Sequence, residues 1–108
     1  MIVSVPGAER AKIEGAKKEI VLGIILADGQ VRLQVSDARV HPGHVEWLAR
    51  ESWRNVVRGF SLLVEDGKVT ALFPRSRLNP GADARLEGEY AESVLRQLPT
   101  IETVTLLE

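Results

Sequence analysis

An internal repeat constrains this sequence more than any other feature. The pair Asp28-Gly29 recurs as Asp66-Gly67, a shift of 38 residues, and the Pro-Gly pair at 42–43 recurs at the same shift at 80–81. The apolar run before the first Asp-Gly pair also has a counterpart before the second, and the alignment needs no gap. Similarity at a fixed spacing indicates one supersecondary unit that is used twice.

Each unit predicts a β-hairpin that is followed by a helix. The Asp-Gly pair suits a two-residue hairpin turn, because both residues of such a turn adopt positive φ. In the strand after the first turn, Val31, Leu33 and Val35 alternate with polar residues, as in a strand with one buried face. The Pro-Gly pair then ends the strand and begins a helix, since proline is tolerated in a first helical turn.

Apolar stripes at helical spacing mark the two predicted helices of the repeat. One stripe runs from Val45 to Val56 and the other from Leu86 to Leu98. Residues 101–107 alternate through two threonines and predict a final strand.

A third copy of the unit is predicted in split form if residues 8–18 are helical, a point that the sequence leaves open because Gly15 lies inside this range. The order of elements would then be β-α-β-β-α-β-β-α-β. The strand 101–107 would pair with residues 2–5 and complete a third hairpin.

These elements predict one α+β domain over residues 1–108. A chain of this length with 44% hydrophobic residues has the size and composition of a single domain with its own core. We expect a mixed, mainly antiparallel sheet with helices on one face. Two windows, 2–65 and 31–107, spell the βαββαβ order of ferredoxin-like folds. An approximately symmetric arrangement of three units is the alternative.

Composition removes several classes of function. The chain has no cysteine, which excludes disulfides, thiolate metal sites and thiol nucleophiles. A net charge of −1 argues against a dedicated nucleic-acid binder, which normally has a basic excess. The N-terminus has no signal-peptide pattern and no apolar run reaches the length of a membrane helix, so we expect a cytoplasmic protein without a membrane partner.

No motif in the sequence assigns a catalytic residue, a metal site or a cofactor. His41 and His44 are separated by a Pro-Gly turn and therefore do not share one helical face, as paired zinc ligands do. No serine lies in a nucleophile elbow and no glycine-rich loop could hold a phosphate. An acid/base pair that is assembled only in space leaves an enzyme as a third hypothesis.

Arg75 and Arg77 form the one electrostatic feature that the sequence offers as a binding site. They precede Gly81, where a helix N-terminus is predicted, and guanidinium groups beside free N–H groups suit phosphate or carboxylate. The alternative is a solvated loop in which these arginines pair with Asp37 or Asp83. The sequence thus provides a small-anion or metabolite module as the second hypothesis.

Association is the first hypothesis, because two features suggest surfaces that need a partner. Trp47 lies nearly opposite the apolar stripe of its predicted helix, where an exposed tryptophan is a typical contact anchor. The alternative is that the N-terminal segment covers Trp47. The run 20–26, which includes Val21 and Ile25, is apolar without alternation, so both faces of that strand require cover. The helices would cover one face, and the N-terminal segment or a second copy of the protein would close the other. We therefore expect a non-catalytic domain that forms a homodimer or binds a partner protein, with Gly23 at a close approach between chains.

Overall fold

The computed structural model describes residues 2–36, 55–73 and 84–106. Within these ranges the chain forms two helices and one five-stranded sheet, which confirms the α+β class. The elements in chain order are α1 (Gly7–Glu14), β1 (Lys18–Leu26), β2 (Val31–Ser36), β3 (Val56–Glu65), β4 (Lys68–Phe73), α2 (Ala84–Leu95) and β5 (Thr100–Leu106).

The sheet is mixed and mainly antiparallel, as the sequence predicts. Its strand order is β2-β1-β3-β4-β5, and the first three neighbouring pairs are antiparallel. β4 and β5 are parallel neighbours that α2 connects. The register between them shifts between Val69 and Ala71, so that Val69 lies opposite Thr100 and Ala71 lies opposite Thr105.

Both Asp-Gly pairs connect neighbouring antiparallel strands, but the two connections differ. Asp66 and Gly67 have φ of 50° and 76°, as the predicted two-residue turn requires. At the first pair only Gly29 has positive φ, at 90°, and Leu26 donates its N–H to the carbonyl of Gln30. The predicted two-residue turn is therefore wrong at this pair, where a longer loop ends in one left-handed glycine.

The main core lies on one face of the sheet, and both described helices cover that face. Ile13 of α1 and Val94 of α2 are buried in the same cluster as Val21 of β1 and Leu62 of β3. The other buried members of the cluster are Val3, Val5, Ala16, Ile25, Val31, Leu33, Phe60, Val64, Val69, Leu72, Ala91 and Leu98.

β1 lies between β2 and β3, and it is buried on both faces from Val21 to Leu26. Its residues Ile24 and Leu26 belong to a second buried cluster, against which Val56 packs. Ile24 has no exposed surface within this one chain. The unbroken apolar run of the strand thus reflects burial of both of its faces.

Several expectations about individual elements need correction. Val56 is the first residue of β3 and not the end of a helix, whereas residues 45–54 of the predicted helix lie outside the described residues. β5 pairs with β4 and not with residues 2–5, since the N-terminal segment bridges Gln30 through Ser4. The predicted helix 8–18 exists as α1 and ends at Gly15.

The repeat and the ferredoxin-like order are not confirmed as a whole. A shift of 38 residues moves the bounds of β1 onto 56–64, within β3, so the two hairpins agree in extent. Residues 37–54 and 74–83, which complete the two units, lie outside the described residues. A split βαβ arrangement separates its parallel strands by another strand, whereas β4 and β5 are direct neighbours.

Candidate association site at the edge of the sheet

The sheet ends in two edge strands, β2 on one side and β5 on the other. An edge strand presents a row of backbone N–H and C=O groups that another strand can pair with, and proteins usually blunt or cover such edges. The two edges of this sheet differ in how they are covered.

The N-terminal segment closes the beginning of the β2 edge with backbone hydrogen bonds. Val31 donates its N–H to the carbonyl of Ser4 at 2.8 Å, and Ser4 donates to the carbonyl of Gly29 at 2.9 Å. The two segments run parallel at this point. This short bridge occupies the backbone groups that lie where β2 begins.

Two side chains of α1 close the next position along β2. The N–H of Leu33 donates to Oε2 of Glu9 at 2.7 Å, and Nζ of Lys12 donates to the carbonyl of Leu33 at 3.0 Å. Lys12 and Glu9 also pair with each other at 2.9 Å. An ion pair one helical turn apart thus satisfies both backbone groups of Leu33, as a neighbouring strand would.

Gln97 holds the N-terminal segment in the position from which that segment closes the β2 edge. Its Oε1 accepts a hydrogen bond from the N–H of Val5, and its Nε2 donates to the carbonyl of Val3, both at 2.8 Å. Nε2 also donates to the carbonyl of Ser93 at 3.2 Å. Gln97 lies just after α2, so closure of the β2 edge depends on the far end of the chain.

The β5 edge has no such cover within the described ranges, where nothing pairs with its outer side. Ile101 is 40% exposed and Leu106 is 52% exposed. Only Thr100 and Val104 are partly buried along this strand, and Val104 packs against the main core. β5 therefore presents both unpaired backbone and apolar side chains to solvent.

A groove between α2 and β5 lies beside this edge. Its volume is about 470 Å³. The apolar part of its lining comes from Leu95 of α2 and from Ile101, Val104 and Leu106 of β5. Arg96 and Glu92 form an ion pair on the exposed side of α2, so the rim carries both signs of charge. The arrangement can hold an extended chain through backbone hydrogen bonds and apolar contact.

A second, smaller cavity lies under α2 and does not have the size of a ligand site. Its volume is about 10 Å³, which is at the lower limit for one water molecule. The guanidinium of Arg58 lies 5.3 Å from the centre of the Tyr90 ring at this cavity, a distance typical of a cation–π contact. We assign these two residues to the packing of α2 on β3.

The interface residues predicted in the first strand do not form a surface. Val21 is 0% exposed and Ile25 is 1% exposed within one chain, both in the main core. The expectation that these two residues contact another copy is corrected, because α1, α2 and the neighbouring strands enclose them. Gly23 is likewise approached closely by Phe60 of the same chain.

The other predicted site residues lie outside the described residues. This holds for Trp47, proposed as a contact anchor, and for Arg75, Arg77 and Gly81, proposed as an anion site. Among the residues that the structure describes, no group of three or more histidine, aspartate or glutamate side chains could hold a metal ion. None of the described helices is both long and apolar enough to cross a membrane.

Sequence reasoning missed the β5 edge as a candidate site. The strand itself was predicted, but its place at the end of the sheet depends on the pairing of distant strands. One local signal was present, because Glu102 is the only charged residue in Thr100–Leu106. An exposed strand of this composition lacks the lysine or proline that commonly protects an edge.

Comparison with known proteins assigns neither a family nor a function. No protein-family model matches the chain, and neither the curated proteins nor the solved structures give a match.

Proposed function

We propose that this domain acts by association, and that another chain adds a strand to the outer edge of β5. The observation that carries the proposal is the difference between the two sheet edges. Ser4, Glu9 and Lys12 bind outward backbone groups of Val31 and Leu33 in β2, whereas β5 is exposed along most of its length. A sheet in which one edge is partly covered and the other is exposed favours strand addition at the exposed edge.

The composition of β5 suits this role. Its residues Ile101, Thr103, Val104 and Thr105 are β-branched and favour extended backbone. Each backbone hydrogen bond that replaces a bond to water contributes a net stabilisation of about 0.5–1.5 kcal/mol, so several along one strand give useful affinity. Glu102 alone limits nonspecific pairing by its charge.

The groove beside β5 adds apolar contact to the backbone ladder. Leu95 is partly buried, and Ile101 and Leu106 are exposed in the single chain. An added strand or helix over the groove would remove these side chains from water, at about 25 cal/mol for each Å² of apolar surface covered. Backbone pairing would set the orientation of the partner, and the apolar groove would increase its affinity.

The occupant that we propose first is a second copy of this chain. Closed two-fold dimers are the commonest soluble oligomers, and a strand that is exposed on every copy is available to pair with itself. A different partner protein would use the same edge. Trp47 remains a predicted second anchor, outside the described residues.

Sedimentation velocity over a range of protein concentrations tests the proposal. The account predicts a mass that rises with concentration from 11.9 kDa towards twice that value. A mass that stays at 11.9 kDa up to high micromolar concentration would contradict self-association.

A further inference from the structure

We infer that the beginning of β2 and the side chain of Gln97 form a binding slot for an extended peptide, which residues 2–5 fill in this structure. A strand of a partner protein that carries two β-branched apolar residues, separated by one residue, can take their place. This inference is independent of the proposed association through β5, because β2 lies at the opposite edge of the sheet.

The slot pairs with the backbone of residues 3–5 from both sides. Ser4 points its N–H and its carbonyl towards the start of β2 and forms a hydrogen bond through each. Backbone groups of an extended chain alternate in direction, so the carbonyl of Val3 and the N–H of Val5 point the other way. Both of these groups bond to the side-chain amide of Gln97. Gln97 thus takes the place of a second neighbouring strand, and all four backbone groups are satisfied.

The side chains of the segment also alternate, and they supply the selectivity of the slot. Val3 is 6% exposed and Val5 is 8% exposed, both in the main core, whereas Ser4 between them is exposed. The four hydrogen bonds use only backbone groups of the segment. Any extended strand with suitable apolar residues at the two outer positions would therefore form the same bonds. Backbone bonds that give affinity and alternate side chains that give specificity are typical of peptides that bind by strand addition.

The attachment of residues 2–5 is short enough for the segment to leave the slot while the rest of the sheet stays folded. Its pairing with the β2 edge is a single bridge at Ser4, and Ile2 is 86% exposed. Segments with few buried contacts open at a lower free energy than the whole fold. A covalently linked segment has an effective concentration in the millimolar range, so a partner strand competes with residues 2–5 and binds once they have left.

Hydrogen exchange of the unmodified chain tests the release. The amides of Val5 and Val31 both donate within the slot, so detachment of residues 2–5 exposes both. Leu62 is 0% exposed and lies in β3, between β1 and β4. Local opening should let Val5 and Val31 exchange about tenfold faster than Leu62, or more. Exchange at Val5 and Val31 as slow as at Leu62 would overturn the inference, because the slot would then open only on global unfolding.

A peptide with the sequence of residues 2–6, acetyl-Ile-Val-Ser-Val-Pro-amide, tests the slot itself. Val3→Asp should release the segment, because burial of an unpaired carboxylate is costly, and it leaves Gly29, Val31 and Gln97 in place. At about ten times its dissociation constant, the peptide should slow exchange at Val31 about tenfold in this variant. Exchange in the unmodified chain should not change, because its slot is filled. The same peptide with aspartate at both valine positions is the control and should have no effect.

Ser4→Pro provides a second variant, which keeps both valines and buries no charge. Proline removes the hydrogen bond to Gly29 and suits extended backbone, so it weakens the attachment alone. If Val3→Asp does not fold, the two peptides are compared in Ser4→Pro. Exchange at Val31 that no millimolar peptide slows in a folded variant, or that both peptides slow equally, would overturn the slot. Sedimentation of the unmodified chain reports separately on association through β5.

Discussion

The ring of Phe60 lies across Gly23 on the neighbouring strand, in the space that a side chain at position 23 would occupy. The two residues are directly opposite in the antiparallel pair of β1 and β3, and a Cβ built on Gly23 would overlap the ring. The glycine therefore permits an aromatic side chain to pack over the middle of the sheet, where Phe60 is 4% exposed. Aromatic cover of a strand glycine on a neighbouring strand stabilises sheets and fixes their register.

The first prediction follows from this contact. Gly23→Ala should lower the free energy of unfolding by about 1–3 kcal/mol, because the ring of Phe60 must move out of a packed core. Urea denaturation measures the change. Gly7→Ala is the matched control, since no atom lies within 4 Å of a Cβ at that position. Equal effects of the two substitutions would show that the ring does not depend on Gly23.

The turn between β3 and β4 gives the second prediction. Gly67 has φ of +76°, and a Cβ there would lie 2.8 Å from the carbonyl oxygen of Glu14. Its N–H also donates to the carbonyl of Ala16, so the turn docks on the end of α1. Gly67→Ala should destabilise the fold by about 1–3 kcal/mol through backbone strain and this contact.

Gly15→Ala is the control for that turn. Gly15 has right-handed φ, and a Cβ at this position meets Ala11 only at an ordinary 3.7 Å. Alanine should leave stability unchanged or raise it by about 0.4–1 kcal/mol, because it reduces the freedom of the unfolded chain. Thermal unfolding of Gly67→Ala and Gly15→Ala measures the difference. A higher melting temperature for Gly67→Ala than for Gly15→Ala would contradict this prediction.

Gln97 provides the third prediction. Gln97→Glu keeps the acceptor for the N–H of Val5 and removes the donor to the carbonyl of Val3. An acceptor would then face an acceptor, at a cost of about 1–3 kcal/mol. We expect faster hydrogen exchange at the Val5 amide and a lower urea midpoint at neutral pH.

Acidification should partly reverse this effect, since protonation of the new carboxyl restores a donor. Glu92→Gln, on the exposed side of α2, is the control and should leave exchange at Val5 unchanged. Unaltered exchange in Gln97→Glu would show that Gln97 does not hold the N-terminal segment.

The fourth prediction concerns the ion pair that covers the β2 edge. Glu9→Ala removes the acceptor of the Leu33 N–H and should destabilise the fold by about 1.5–3 kcal/mol, the usual range for a hydrogen bond to a charged group. Hydrogen exchange at Leu33 should accelerate. Glu14→Ala, an exposed residue of the same helix, should change neither quantity. If the two variants exchange equally at Leu33, the pair does not close this edge.

The sequence predicted both hairpins and the geometry of one of their two turns, for a physical reason. Asp66-Gly67 carries its turn geometry in two adjacent residues, and local chemistry determines such features. The apolar run of β1 predicts a strand whose second face needs cover from the N-terminal segment or from a second copy of the chain. Its residues Val21, in the main core, and Ile24, in the second cluster, are both buried within one chain.

Local sequence patterns could not predict the position of β5 in the sheet, for the same reason. Alternation over 101–107 predicts a strand, but which neighbour it takes depends on contacts between distant parts of the chain. The Glu9 carboxylate and the Leu33 amide show this as well, because their hydrogen bond joins residues on separate elements. No spacing rule within one element would have indicated it.

The most direct test of the central claim compares one lysine at each edge of the sheet. Ile101 of β5 and Val35 of β2 are both β-branched and are 40% and 39% exposed. Lysine on an edge strand discourages pairing, and at these exposed positions it should not prevent folding. Sedimentation velocity should therefore show that Ile101→Lys is monomeric at concentrations where the parent chain and Val35→Lys are dimeric. A dimer that survives Ile101→Lys and is lost in Val35→Lys would contradict association through β5.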